Sequence, residues 1–168
     1  MSDYYIFLDL EPYLGQWLIN SLGGKQPARF PKGSPENDLL FYFLQKQPEG
    51  CMPQLQPAKP TEVAIAIPYF KDKDPRIYNY ITPRAKLLLK NCIRNKFAIE
   101  LWRECSQFKK VCNMSKQEAV YAFMVSHGIE ETDTNWCAID KAFQRKRQAV
   151  RALNWYKNQQ KKEIDPEK

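Results

Sequence analysis

The chain has 168 residues, with 26 Lys+Arg, 19 Asp+Glu and one His, for a formal net charge of +7. Hydrophobic residues make up 43% and aromatics 13%, which supplies a core and does not fit long intrinsic disorder. No run approaches the ~18–20 apolar residues that cross a bilayer, so no membrane partner is expected.

Residues 4–10 are rich in β-formers. Tyr4, Ile6, Leu8 and Leu10 share one face, and Tyr5, Phe7 and Asp9 the other, which predicts a short strand. From Pro12 to Leu22, Leu14, Trp17, Leu18 and Leu22 fall at helical spacing, and Gly23-Gly24 ends that helix. Ser34-Pro35 reads as an N-cap and first helical residue. This second helix is expected to run to about Lys46, with Leu39, Leu40, Phe43 and Leu44 inward.

Residues 47–60 contain Pro48, Pro53, Pro57, Pro60 and Gly50. Proline at that density forbids regular pairing and predicts an extended connector. Val63 to Phe70 is the second predicted strand, expected to pair with residues 4–10. Lys71 to Pro75 is a polar turn, and Ile77–Ile81 a third short strand.

The pattern turns helical at Thr82-Pro83. Phe97, Leu101, Cys105, Phe108 and Cys112 form one apolar stripe. A rod of about 45 Å would result, so a break near Asn91 or Asn95 is expected, with Asn113 closing the helix. Ser115-Lys-Gln-Glu118 is a capping box. It opens a helix with Ala119, Val120, Phe123 and Met124 inward, ended by His127-Gly128. Thr132, Asp133 and Thr134 can each cap the last helix, which carries Trp136, Ile139, Phe143, Val150 and Leu153 and frays before Pro166.

The fold class is therefore α+β, with a small N-terminal sheet and short helices packed against a mainly helical C-terminal half. Residues 1–81 form the α/β region with its Pro-rich connector, 82–160 the helical basic region and 161–168 a tail, together one domain. Five cysteines without an export-type N-terminus predict a reduced, cytoplasmic setting.

Charge is distributed unevenly. Residues 1–60 hold five bases against six acids, and residues 61–168 hold 21 bases against 13 acids. Between Lys141 and Lys162 lie Lys141, Arg145, Lys146, Arg147, Arg151, Lys157, Lys161 and Lys162, with no acid. A block of one sign attracts a polyanion. A second basic stretch, Arg84 to Lys110, includes Lys90 and Arg94. The ordinary alternative for each stretch is a solvated helix face.

Two helices joined by a Gly-containing turn, the second basic, outline a helix-turn-helix. Gln144, Arg145, Arg147, Gln148 and Arg151 suit a groove-facing surface, and Lys141, Lys146 and Lys157 suit phosphates. The turn from Gly128 to Thr134 is long, Met124 stands where a small residue is usual, and the basic cluster lies far along its helix. Phosphate contact is thus favoured over base readout, and a plain antiparallel helix pair is the structural alternative. The segments Tyr121–Trp136, Phe143–Arg147 and Ile6–Leu14, just under a fifth of the chain, resemble small uncharacterised proteins of bacterial prophages and mobile elements. The resemblance implies a DNA-related role and no catalytic residue.

Enzymatic readings find less. Asp9-x-Glu11 resembles the first metal-binding motif of proofreading-type exonucleases, where paired carboxylates hold divalent metal. The later acidic and His positions do not follow, and Pro12 comes directly after Glu11. The other reading makes Asp9 a strand end and Glu11 the first turn of a helix. His127 is read as a helix-end residue meeting the helix dipole. Cys92, Cys105, Cys112 and Cys137 lack C-x-x-C spacing, and Cys105 and Cys112 are expected in the core. The glycines around Lys25 and Lys32 lack P-loop spacing. Tyr69, Phe70, Tyr78 and Tyr80 among Lys71, Lys73 and Arg76 read as an ordinary strand rather than a single-strand platform. No cofactor or metal is expected. The leading expectation is a non-catalytic, weakly specific DNA-binding protein, with regulation as one use of such binding. A protein-interaction or assembly module is second, and a metal-dependent nuclease third.

Overall fold

The alternation at the N-terminus becomes β1 (Tyr5–Asp9) in a computed structural model, which describes residues 4–52 and 54–164 and the side chains up to Lys157. Ile6, Phe7 and Leu8 are all buried, so both faces of this strand are covered. A proline at its first turn opens α1 (Pro12–Ser21), which buries Leu14, Trp17 and Leu18. Gly23 and Gly24 close it with positive φ. The Gly24 N–H bonds the Ile19 carbonyl at 2.8 Å and the Gly23 N–H that of Asn20 at 3.2 Å, the Schellman arrangement.

The Ser34 hydroxyl caps α2 (Pro35–Phe43) by accepting from the Asn37 N–H. This helix stops short of Lys46. The Lys73 ammonium donates to the carbonyls of Phe41 and Leu44, filling acceptors at the helix end. Residues after Leu44 turn extended and form β2 (Gln45–Lys46). Leu40 and Leu44 are buried as expected, and Leu39 and Phe43 are partly so. Among the described residues of 47–60 there is no helix or strand.

β3 (Glu62–Ala66) pairs antiparallel with β1, Ile6 opposite Ile65 and Leu8 opposite Val63. It ends at Ala66 rather than Phe70. Ala28 bridges to its other edge, accepting from the Ala66 N–H and donating to the Ala64 carbonyl, each at 2.9 Å. β4 (Tyr78–Tyr80) pairs with β2 in a separate two-stranded sheet.

α3 (Pro83–Val111) is one unbroken helix. The expected break at Asn91 or Asn95 does not occur. Ala85, Leu89, Ile93, Phe97, Leu101 and Cys105 step by four and are all buried. Each large apolar side chain contributes about 1.5–3 kcal/mol, which outweighs the helix-propensity cost of an asparagine, at most about 0.7 kcal/mol. Asn113 has the positive φ of a helix stop. Cys112, placed on the core stripe by the sequence pattern, is exposed, because it is the C-cap and lies past the packed length of α3.

The capping box forms at the start of α4 (Lys116–Ser126), which buries Ala119, Val120, Phe123 and Met124. α5 (Asp133–Ile164) follows. It is anchored by buried Asn135, Ile139 and Phe143, and every side chain from Arg151 to Lys157 is exposed. Leu153 is therefore a surface residue. Pro166 and residues 165–168 of the predicted tail lie outside the described residues.

This is an α+β fold. Its apolar core runs from Ile6 in β1 to Phe143 in α5 without interruption. Phe97 sits at its centre, with ring centroids 5.3 Å from Trp17, 5.2 Å from Tyr13 and 5.7 Å from Phe123. No helix among the described residues is long and apolar enough to cross a membrane.

Candidate nucleic-acid interface

α5 buries one stripe, through Ile139 and Phe143, and this fixes what its other side presents. On a helix of 3.6 residues per turn, Lys141, Arg145 and Gln148 fall on the side opposite Phe143, and Gln144 and Arg151 stand about a quarter turn from it. All five are exposed, as are Lys157 and Trp155. Lys146 and Arg147 flank the buried stripe and are half-buried. Gln144 is tied back to Asp140 by a 3.0 Å hydrogen bond. Among the described residues, no carboxylate pairs with Lys141, Arg145, Lys146, Arg147, Arg151 or Lys157. Six cations thus share 17 positions of one helix, unneutralised at close range. The side chains of Lys161 and Lys162 lie outside the described ones.

The second basic stretch is arranged differently. Lys90 donates to the Asp9 carbonyl at 2.7 Å and lies 3.5 Å from the Glu11 carboxylate. Arg94 bonds the same carboxylate. Both cations serve the junction between β1 and α1. Burial pushes the Glu11 carboxyl up, but the Arg94 hydrogen bond and the charges of Lys90 and Arg94 outweigh it and hold the group below its ordinary value.

The structure nevertheless brings Arg94 to the α5 cations. A cleft of about 700 Å³ opens between α3 and α5, lined by Arg94, Asn95, Arg145 and Lys146, with Glu11 and Tyr13 at one side. A shallower hollow adjoins it, where Lys141 and Arg145 face Tyr13, Thr134 and Cys137. Tyr13 and Asn95 were not legible as site residues, since nothing local in the sequence ties them to α5. Burial, and then the neighbouring Glu11 charge, raise the Tyr13 phenol above its ordinary value, so it is a neutral donor or acceptor there. Arg147, Arg151, Lys157, Gln144 and Gln148 lie outside the cleft, along the helix.

Residues 127–132 join α4 to α5. That link exceeds the three or four residues of a DNA-reading helix-turn-helix. Its conformation is set by α1: the Gln16 amide oxygen accepts from the Glu130 N–H at 3.0 Å and from the Asn135 side chain at 3.3 Å. α4 and α5 are further tied by Lys116 and Asp140 at 2.5 Å.

Two other candidate constellations resolve into structural pairs. Asp9 ends β1, where Lys59 and Thr61 bond its carboxylate at 2.8 and 2.7 Å and hold it below its ordinary value. Glu11 is the N-cap residue of α1 and faces Arg94. The two carboxylates therefore meet separate cations. In the aromatic segment, Lys73 caps α2, Arg76 pairs with Asp74 at 2.6 Å, and the Phe70 ring packs on Phe41 at 5.0 Å. Tyr69 remains exposed.

Comparison with known proteins finds no matching family model, no matching curated protein and no matching solved structure.

Proposed function

We propose that this chain is a non-catalytic DNA-binding protein that grips the phosphate backbone with the outward face of α5. One observation carries the reading: six Lys and Arg side chains between Lys141 and Lys157 have no carboxylate partner among the described residues. Cations left unpaired along a rigid rod raise the local potential and are available to displace counterions from a polyanion. The spacing of Lys141, Arg145 and Arg151 along one face suits the repeated charges of a backbone. The long link before α5 and the mid-helix position of the cluster favour phosphate contact over base readout. Lys90 and Arg94 support the site from beneath, through Glu11.

A second reading has its own observation. Leu153, Trp155 and Tyr156 are 57–61% exposed beside Arg151 and Lys157, which is also how a helix meets an acidic protein surface. The two readings separate by salt. Fluorescence anisotropy of labelled duplex and single-stranded DNA, titrated at two salt concentrations, is expected to show binding that weakens steeply with salt. Absence of binding to either strand form at low salt would sink the DNA reading and leave the protein partner. A preference for single strands would assign Trp155 and Tyr156 a stacking role.

A further inference from the structure

The sole histidine of the chain does more than end α4. His127 Nε2 lies 2.9 Å from the Glu104 carboxylate and 3.9 Å from that of Glu100, both on α3. The ligand-capable atoms of the three residues lie within 4.8 Å of one another. We propose that Glu100, Glu104 and His127 form a binding site for a divalent first-row transition-metal ion of the Zn²⁺ class.

The backbone presets the arrangement. Glu100 and Glu104 are four residues apart on an unbroken helix, so they project from one face. His127 is the C-cap of α4, and Gly128 follows with positive φ. Its ring rests on Phe123 at a centroid distance of 4.3 Å, which restricts its swing. The side chains of Glu100, Glu104 and His127 are 22%, 23% and 15% exposed, so the site is partly screened from water yet open on one side.

The donor set selects the ion. Imidazole nitrogen favours Zn²⁺, Fe²⁺, Co²⁺ or Ni²⁺, and carboxylate oxygen accepts the same ions while also suiting Mg²⁺ and Ca²⁺. Around a tetrahedral Zn²⁺ with ligands about 2.0–2.2 Å away, donors stand about 3.4 Å apart. The His127 separations of 2.9 and 3.9 Å bracket that value, and with all three donors within 4.8 Å of one another rotamer adjustment of the two glutamates would seat the ion. Three protein ligands leave a coordination position for solvent.

A plain His–Glu104 hydrogen bond accounts for one carboxylate only. Glu100 has no closer partner than His127 among the described residues, and two acids directed at one imidazole exceed what a single hydrogen bond needs. Arg103 approaches the other oxygen of Glu104 at 3.8 Å, but its side chain is 69% exposed and free to swing away. Binding would require the Nε2 lone pair, so a proton on that nitrogen would leave or move to Nδ1.

Co²⁺ titration of the full chain at neutral pH, followed by visible absorption, tests the site. One Co²⁺ per chain is expected, with d–d bands, no thiolate charge-transfer band, and loss of the bands on adding Zn²⁺. E100Q, E104Q and H127Q should each weaken binding by about tenfold or more, with the fold of each checked by circular dichroism. E100Q breaks no other contact and serves where H127Q fails to fold. No bound ion, a thiolate band reporting the cysteines, or unchanged affinity in E100Q and E104Q would overturn the proposal. None of these outcomes depends on DNA binding.

Discussion

The Arg94 guanidinium, midway along α3, donates to the Glu11 carboxylate at the N-cap of α1, and so joins the strand–helix corner to the longest buried helix. A residue predicted to touch phosphate is engaged instead in holding the fold. Replacing Glu11 by Gln is expected to cost about 1 kcal/mol, at the low end because both side chains are over a third exposed. The pH dependence follows from a carboxyl held below its ordinary value of 4.5. Its contribution is full above that value and is lost as pH falls through the lower folded-state value. Urea unfolding of the wild type and E11Q should show a stability gap at neutral pH that narrows below about pH 4. A gap that persists at lower pH would refute the pairing.

Gln16 fixes the entry to α5 from outside that helix. Its oxygen receives the Glu130 N–H and the side chain of Asn135, which is 2% exposed. Gln16→Ala should lose about 1–2 kcal/mol, because it leaves a buried donor short of a partner. Asn135 keeps its 2.9 Å bond to the Glu130 carbonyl, so the two side chains belong to one network. A double-mutant cycle of Q16A and N135A should give a coupling of at least about 0.5 kcal/mol. Additive losses would show that Gln16 acts elsewhere.

Gly15 sets how closely α1 lies on the sheet. A Cβ there would stand 3.1 Å from Cγ2 of Val63 in β3. Gly15→Val is expected to destabilise by about 1–3 kcal/mol through overpacking. Gly15→Ala combines a helix-propensity gain of about 0.5–1 kcal/mol with the same close contact, so its net effect should be smaller. Adding V63A should make the alanine variant relatively more favourable. Thermal denaturation of wild type, G15A, V63A and the double variant reads this directly, and no interaction between the two sites would contradict the packing.

Elements with strong local signals were legible in the sequence. The capping box at Ser115, Pro83 behind Thr82, and Gly23-Gly24 mark boundaries through hydrogen bonds made within a few residues. Burial of Phe97, Leu101 and Cys105 followed from the apolar stripe, which continues in the structure to Leu89 and Ile93. What was missed depends on distant residues. α2 ends early where Gln45 and Lys46 leave to pair with Tyr80 and Tyr78, and Lys73 satisfies carbonyls at that end. Lys90 and Arg94 carry no local sign that Glu11 neutralises them. His127 reads as a helix end until folding sets it against Glu100 and Glu104, whose four-residue spacing was the one available hint.

The five cysteines divide by environment. Burial, and then the nearby Glu104 charge, push the Cys105 thiol up to about 12, and its Sγ bonds the Ala119 carbonyl at 3.5 Å. Cys51, Cys112 and Cys137 are exposed. Since the thiolate is the reactive form, iodoacetamide at neutral pH should label those three and spare Cys105 in the folded protein. Peptide mapping after brief exposure checks this, and equal labelling of Cys105 would mean that α3 and α4 part there.

The outward face of α5 makes the most direct functional prediction. Lys141, Arg145 and Arg151 are exposed and have no carboxylate partner among the described residues, so replacing them with alanine removes charge without breaking an ion pair. Surface changes of this kind alter stability by about 0.5 kcal/mol or less. Each lost phosphate contact should instead reduce the slope of log affinity against log salt by about 1, uniformly across DNA sequences. The triple variant should therefore bind duplex more weakly at low salt and converge on the wild type as salt rises. Lys90→Ala, at the Glu11 junction, should lower stability more than it changes that slope. The opposite pattern, a slope lost with Lys90 and kept without the α5 cations, would move the interface to α3.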